Sequence, residues 1–214
     1  ELHLVHAGRL LERDAAAVEG HALAYQRHRG RAGAAAAVTH DDQLGRLATP
    51  ARDREELALR LALGPTLQAA RGYAASEVEH TYRRARQLAD EVGAPVQQFQ
   101  ARWGTWLVAS HRASAGAALE LGRELLALAE RLDDPSLLLE GHHALWPVLV
   151  WLGNAGAARR HLEHGMALYD KAQHRSHAFT YGGHDPGVCC RKVASWASWL
   201  LGYPARGVEE SLAS

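Results

Sequence analysis

The chain has 214 residues, 24 of them basic and 24 acidic, so its formal net charge is zero. A neutral chain has no global electrostatic attraction for nucleic acid or for an anionic membrane, and we expect neither as a partner. Isoleucine is absent and alanine, leucine, arginine and glutamate dominate, a composition that favours helices and argues against a β-sheet.

The first fifty residues have the weakest helical pattern. Leu2–Ala17 resembles the remnant of one helical repeat, but Gly30, Gly33 and Gly45 interrupt the next stretch of the chain. We therefore predict that residues 1–50 form a degenerate or poorly packed N-terminal helical segment. The chain begins with no basic region followed by an apolar stretch, and it contains no apolar run of about 18 residues. We expect neither a secretory signal nor a transmembrane helix.

From about residue 53 the chain is predicted to form one helix after another. Acidic residues at 53–56 mark the first turn of a helix that Pro65 should kink or break and that Gly72 ends. Ser76 with Glu79 has the spacing of a capping box, which predicts the start of the second helix. Gly93 and Pro95 close it.

Five further helices are predicted from apolar spacing and from turn residues. The Gly- and His-rich stretch 170–187 is predicted to be an irregular insertion loop, longer than most helix connections. The helices are expected over Val96–Ser110, Ala115–Leu132, Ser136–Leu152, Ala155–Tyr169 and Val188–Leu201, and the turn at Pro204 begins a last one.

The helices are predicted to form pairs. Gly153 and Ala158 have the Gly-x-x-x-x-Ala spacing of a tetratricopeptide hairpin, in which the small residue allows close packing of the two helices. Val78, Ala118, Ala158 and Gly207 are taken as equivalent, at intervals of 40, 40 and 49 residues. The usual tetratricopeptide period is about 34. An ordinary helical bundle with coincidental spacing is the alternative.

The predicted fold is therefore all-α, with tetratricopeptide-like helical-hairpin repeats that form a right-handed α-solenoid over residues 51–214. The tryptophans are interpreted mainly as core between helices: Trp103, Trp106, Trp146, Trp151, Trp196 and Trp199. The expected pairs are 53–93, 95–132, 135–169 and 187–214.

The part of the chain from Glu55 onward resembles one bacterial family. The most specific run is 174–179, and the resemblance covers about three quarters of the chain. The residues that carry it are 56–65, 72–79, 82, 85–86, 125–129, 161–165, 167–170, 174–179, 181–182 and 185–188.

The family consists of multidomain adenylate or guanylate cyclase–AAA ATPase signalling proteins with a C-terminal tetratricopeptide-like region, which is the part that this chain resembles. The resemblance implies a cytoplasmic regulatory scaffold whose protein or peptide partner is the cyclase or ATPase domain of a longer parent. Residues 20–50 depart from the family, which would continue with a helical pair there. No cyclase or ATPase activity is carried over to this chain.

No catalytic or phosphate-binding motif is present: the chain has no G-x-x-x-x-G-K-[ST], H-E-x-x-H or G-x-S-x-G. We expect no catalysis, no cofactor and no metal ion. His161 and His164, three residues apart, are interpreted as exposed or capping residues. The adjacent Cys189 and Cys190 are interpreted as small apolar residues in a reducing cytoplasm, and a redox or metal role is the alternative.

The 170–187 segment is the candidate interaction loop, because irregular loops often carry function. Its polar residues would form a site for a partner or ligand, or Arg175 and Asp185 would only fasten the insertion to neighbouring helices. The predicted function is a non-catalytic interaction or regulatory scaffold, and the alternative is a small-molecule or metal sensor. The candidate residues are His174, Arg175, His177, Tyr181, His184 and Asp185.

Overall fold

Helices make up most of residues 49–112 and 114–212, the residues that the computed structural model describes. They are α1 (Thr49–Arg71), α2 (Ser76–Val92), α3 (Pro95–His111), α4 (Ala115–Leu132), α5 (Pro135–Trp151), α6 (Ala155–Leu168), α7 (Lys171–His174), a 3₁₀ helix (Arg175–Phe179), α8 (Pro186–Leu200) and α9 (Pro204–Leu212). These residues contain no β-strand, which confirms the all-α class.

The predicted poorly packed segment, residues 1–50, lies almost entirely outside the described residues. Residues 1–48 are not described, so only the last two positions of the segment can be compared with the prediction. These two positions already belong to α1, which therefore begins four residues before the predicted start at residue 53.

Local signals place most helix ends within two residues of their predicted positions. Proline occupies the first turn of α3, α5, α8 and α9, where its missing N–H leaves no helical hydrogen bond unmade. Gly72, Gly153 and Gly202 follow α1, α5 and α8 with positive φ, the conformation in which glycine ends a helix without steric strain.

Two predicted helix features are corrected by the structure. Pro65 does not break α1, which continues through it from Thr49 to Arg71. Ser76 is the first residue of α2 rather than its cap: the N-cap is Ala75, and the Ser76 hydroxyl donates to the Glu77 carboxylate at 3.0 Å. A serine caps a helix from the N-cap position, where its oxygen accepts from the amide of the second or third helical residue, and Ser76 lies one residue beyond that position.

Each long helix packs mainly against the helix before it and the helix after it. This serial order runs from α1 to α6 and then through α8 to α9, with a further contact between α5 and α8. Packing between neighbours along a chain of helices is consistent with an α-solenoid.

The buried core follows the same serial order. Leu57 of α1 packs with residues of α2 and α3, Trp103 with residues of α4 and α5, and Trp146 with residues of α6 and α8. The four positions taken as repeat equivalents are all buried: Val78, Ala118, Ala158 and Gly207.

The tryptophan prediction is only half right. Trp103, Trp106 and Trp146 are buried as expected, whereas three others are exposed: Trp151, Trp196 and Trp199. An aromatic side chain at helical spacing does not by itself tell whether a further helix covers it.

The 170–187 segment is more regular than predicted. Asp170 caps α7 by accepting from the amide of Gln173 at 3.0 Å, and the 3₁₀ helix follows directly. Asp185 then caps α8 by accepting from the amide of Gly187 at 2.8 Å. Within the described part of the chain, no helix is both long enough and apolar enough to cross a bilayer.

Candidate functional site

The segment between α6 and α8 places its histidines against α5. His177 in the 3₁₀ helix and His184 before α8 both contact polar side chains of α5. The α5–α8 contact adds Cys189, from the second turn of α8. The site is therefore formed by α5, by α8 and by the segment that joins α6 to α8.

Glu140 of α5 is the central acidic group, and it is fully buried. Its Oε2 is 2.9 Å from Nδ1 of His143, one helical turn later, and its Oε1 is 2.8 Å from Nδ1 of His177. Burial alone would raise the pKa of the Glu140 carboxyl, but the His143 and His177 imidazoles outweigh burial and lower it. Both carboxylate oxygens thus accept from imidazole N–H groups.

His143 also joins the next group of side chains. Its Nε2 lies 3.1 Å from Nε2 of His184, and the Cys189 sulfur lies beside both imidazoles. One ligand atom from each of the three residues, two nitrogens and one sulfur, lies within 4.8 Å of the others. His143 is buried, while His184 and Cys189 are partly exposed.

The surroundings of this group favour a positive charge on the His143 imidazole and a negative charge on the Cys189 sulfur. Burial opposes the imidazolium form of His143, but the Cys189 sulfur and the Glu140 carboxylate raise its pKa. Burial likewise opposes the thiolate of Cys189, and the two imidazoles nevertheless lower its pKa. The neighbouring Cys190 differs, because burial raises its pKa to about 12 and its Sγ is 3.4 Å from the carbonyl oxygen of Leu162.

Aromatic rings enclose the other sides of His143. The Trp146 ring stacks on the imidazole with centroids 4.8 Å apart, and Trp103 and Trp106 lie at 5.7 and 6.4 Å. This apolar wall keeps water from the buried side of the imidazole. The Nε2 edge of His143 contacts His184 instead.

Two consecutive glycines shape the turn that carries His184. Gly182 and Gly183 have φ of 88° and 79°, a conformation that other residues adopt only with strain. The Gly182 carbonyl accepts from the Tyr73 hydroxyl at 2.8 Å and lies 3.0 Å from Nδ1 of His184. Because a carbonyl can only accept, Nδ1 of His184 carries the hydrogen, and Nε2 is the free nitrogen when the ring is neutral.

The other predicted loop residues have structural contacts. His174 is buried, where its Nδ1 accepts from the Asp170 amide at 2.9 Å and its Nε2 is 3.1 Å from the Ser136 hydroxyl. Burial and the adjacent His177 lower its pKa, so the neutral ring is favoured. His174 thus fastens α7 to the start of α5.

Of the remaining predicted residues, Tyr181 is buried in the core, edge-on to Phe99 and Trp103. Asp185 caps α8 and accepts from the Tyr169 hydroxyl at 3.0 Å, which matches the alternative that it fastens the insertion. Arg175 lies on the exposed surface of the 3₁₀ helix.

A second group of histidines lies between α5 and α6. Nδ1 of His142 is 2.9 Å from Nδ1 of His161, and its ring centroid is 5.0 Å from that of His164. Burial lowers the pKa of His142 to about 4, and the two neighbouring imidazoles add to the shift. The three rings meet closely, but they do not bring three ligand atoms to one point as the first group does.

Two residues of the site, Glu140 and His143, are not predicted from the sequence, and Cys189 enters the sequence predictions only through the alternative of a redox or metal role. Glu140 and His143 form a Glu-x-x-His spacing, which places both side chains on one face of a helix. Cys189 follows His184 by five residues, directly after a helix start. These short-range signals were present, but only the α5–α8 contact brings them together.

Comparison of the chain with protein-family models, with curated proteins and with solved structures finds no match. A functional proposal for this chain therefore depends on the geometry and on the residues themselves.

Proposed function

We propose that this chain is a non-catalytic regulatory scaffold, built from tetratricopeptide-like hairpins in a right-handed α-solenoid. Serial packing of α1 to α6, α8 and α9 supports the stacked arrangement. Burial of the four equivalent positions, at intervals of 40, 40 and 49 residues, supports the hairpin repeat. Repeats of this kind bind partners through the extended surface that stacking creates.

The observation that carries the interaction function is an exposed apolar face on α8. Trp196, Trp199 and Leu200 stand at i, i+3 and i+4, so they share one side of the helix. Their exposed fractions are 42%, 63% and 59%. Large aromatic residues in such an exposed stripe are typical of protein interaction surfaces.

The proposed partner is a protein domain. The sequence resemblance identifies it with the cyclase or AAA ATPase domain of a longer signalling protein, and the proposed location is the reducing cytoplasm. The cysteines support this location, since Cys189 and Cys190 are both free.

The test is a binding titration of this chain against the cyclase and ATPase domains of that family, by isothermal calorimetry. The variant Trp199→Ser/Leu200→Gln should lower the affinity at least about tenfold, while its circular dichroism stays unchanged because both side chains are exposed. Val96→Ser, at an exposed apolar position of α3, is the control and should bind like the wild type. Failure of the wild-type chain to bind either domain would refute the proposal.

A second candidate function, ligand sensing, is favoured by the convergence of histidines on Glu140. A buried carboxylate with two imidazoles is costly to maintain for stability alone. A thermal-shift screen of small molecules and metal ions tests this function. Ligands that raise Tm in the wild type should have no effect on the His184→Ala variant.

A further inference from the structure

The side chains at the α5–α8 contact form a cation site. We propose that His143, His184 and Cys189 bind one divalent transition-metal ion of the Zn²⁺ type. The proposal rests on the proposed sensor function and names its ligand. The site includes two residues outside the 170–187 segment, and it lies where α5 and α8 meet.

The distances fit such an ion. With Zn–N bonds of about 2.0–2.1 Å and a tetrahedral angle, two ligating nitrogens lie about 3.3–3.4 Å apart. The Nε2 atoms of His143 and His184 are 3.1 Å apart, so shifts of a few tenths of an ångström produce the required spacing. The Cys189 sulfur completes the group, since all three ligand atoms lie within 4.8 Å of one another.

The surrounding contacts orient both rings as ligands. Nδ1 of His143 donates to the Glu140 carboxylate at 2.9 Å, and Nδ1 of His184 donates to the Gly182 carbonyl at 3.0 Å. Metal-binding histidines almost always donate their second nitrogen to a carboxylate or to a backbone carbonyl. Each ring here uses one of these two arrangements.

The same contacts explain why a cation belongs between the rings. With both Nδ1 atoms acting as donors, both Nε2 atoms are acceptors whenever the two rings are neutral. Two acceptors 3.1 Å apart repel each other unless a proton or a metal ion lies between them. The ion and the proton therefore compete for the position, as is usual for metal sites made of imidazole and thiolate.

The ligand set selects the kind of ion. Two imidazoles and one thiolate suit Zn²⁺ and its spectroscopic substitute Co²⁺, and they suit Mg²⁺ and Ca²⁺ poorly. Three protein ligands leave a fourth position, unlike the closed four-ligand sites that serve structure alone. His184 and Cys189 are partly exposed, so two of the three ligands are accessible to an ion from solvent.

Ion binding would connect the site to the interaction face. His143 belongs to α5 and Cys189 to α8, two helices that are not successive in the stack. An ion between them fixes the position of α8, which carries Trp196 and Trp199 two to three turns further on. Metal binding is therefore expected to change the affinity for the protein partner.

The experiment is a Co²⁺ titration of the purified full chain, reduced and freed of metal with a chelator, followed by Zn²⁺ competition. We expect one ion per chain and a sulfur-to-cobalt charge-transfer band in the near ultraviolet. Cys189→Ala should abolish the band and weaken Zn²⁺ binding at least about tenfold, and His184→Ala should weaken binding to a similar extent. Cys190→Ala is the matched control, because that sulfur faces the Leu162 carbonyl instead, and it should behave like the wild type.

Zn²⁺ should also protect Cys189 from alkylation by iodoacetamide. The proposal is overturned if the wild type binds no ion, if Cys189→Ala retains the band, or if Zn²⁺ leaves alkylation unchanged. The last result, with rapid alkylation, would identify Cys189 as a free nucleophile paired with His143. Ion binding that leaves partner affinity unchanged would confirm the metal site and remove only the sensor function.

Discussion

Gly182 provides a test of the turn that carries His184, because two separate effects oppose a side chain there. Its φ of 88° requires a left-handed conformation, which disfavours alanine by about 1–2 kcal/mol. A Cβ would also lie 2.7 Å from the Trp103 ring, and overpacking of this kind destabilises a core by about 1–3 kcal/mol. Gly182→Ala should therefore lower the free energy of unfolding by about 2–5 kcal/mol.

Two other glycines separate these effects. Gly72 has φ of 87° with no heavy atom within 4 Å of the added Cβ, so alanine there causes backbone strain alone. Gly183 has φ of 79°, and its nearest neighbour would be the Tyr73 hydroxyl oxygen at 3.4 Å, an ordinary contact. Both variants should lose about 1–2 kcal/mol. The difference between Gly182→Ala and these controls measures the contact with Trp103.

The assay is urea denaturation followed by circular dichroism and by tryptophan fluorescence, since Trp103 is part of the affected contact. We expect Gly182→Ala to be less stable than Gly72→Ala by about 1–3 kcal/mol. Equal losses in the two variants would show that Trp103 does not approach the turn. A Gly182→Ala variant as stable as the wild type would refute the positive φ and, with it, the placement of His184.

Two further predictions concern helix packing and pH. Gly104→Ala should destabilise the protein by about 1–3 kcal/mol, although alanine has the better helix propensity, because the new Cβ would overlap the Tyr82 ring. Gly156→Ala is the control: the added Cβ meets open space, so this variant should be neutral or stabilising. Thermal denaturation of the two variants distinguishes these outcomes. Hydrogen bonds from Arg84, opposed by burial, lower the pKa of Glu56 from 4.5 to about 2, so its stabilising effect is present above pH 4.5 and is lost as the pH falls toward 2. Glu56→Gln should lower the free energy of unfolding by about 1–2 kcal/mol at pH 7 and by almost nothing near pH 2. The value at pH 7 is reduced because solvent partly screens the ion pair. A loss of stability that does not depend on pH would contradict this assignment.

Helix positions were predictable from the sequence because their signals are local. Proline at a helix start, glycine just after a helix end and apolar residues every three or four positions act within one or two turns. This is why the predicted Ala115–Leu132 agrees with α4 at both ends. The predicted break at Pro65 is absent, since α1 continues through this residue and packs along α2.

The spacing of apolar residues along a helix does not decide which tryptophans are buried. Trp146 and Trp199 both lie on apolar faces of helices, yet Trp146 is buried against α6 and α8, whereas Trp199 is 63% exposed. Periodicity tells which side of a helix is apolar. It does not tell whether another element covers that side.

The candidate site was even less accessible to sequence reasoning. For the residues that the structure describes, the sequence alone determined the all-helical class, the order of the helices and an unusual histidine-rich segment at 170–187. The tertiary structure decided which of those histidines matter, because His143 and Cys189 are 46 positions apart and meet only where α5 contacts α8. Ligand geometry depends on atoms only a few ångströms apart, and local pattern does not fix such distances between helices that are remote in the chain.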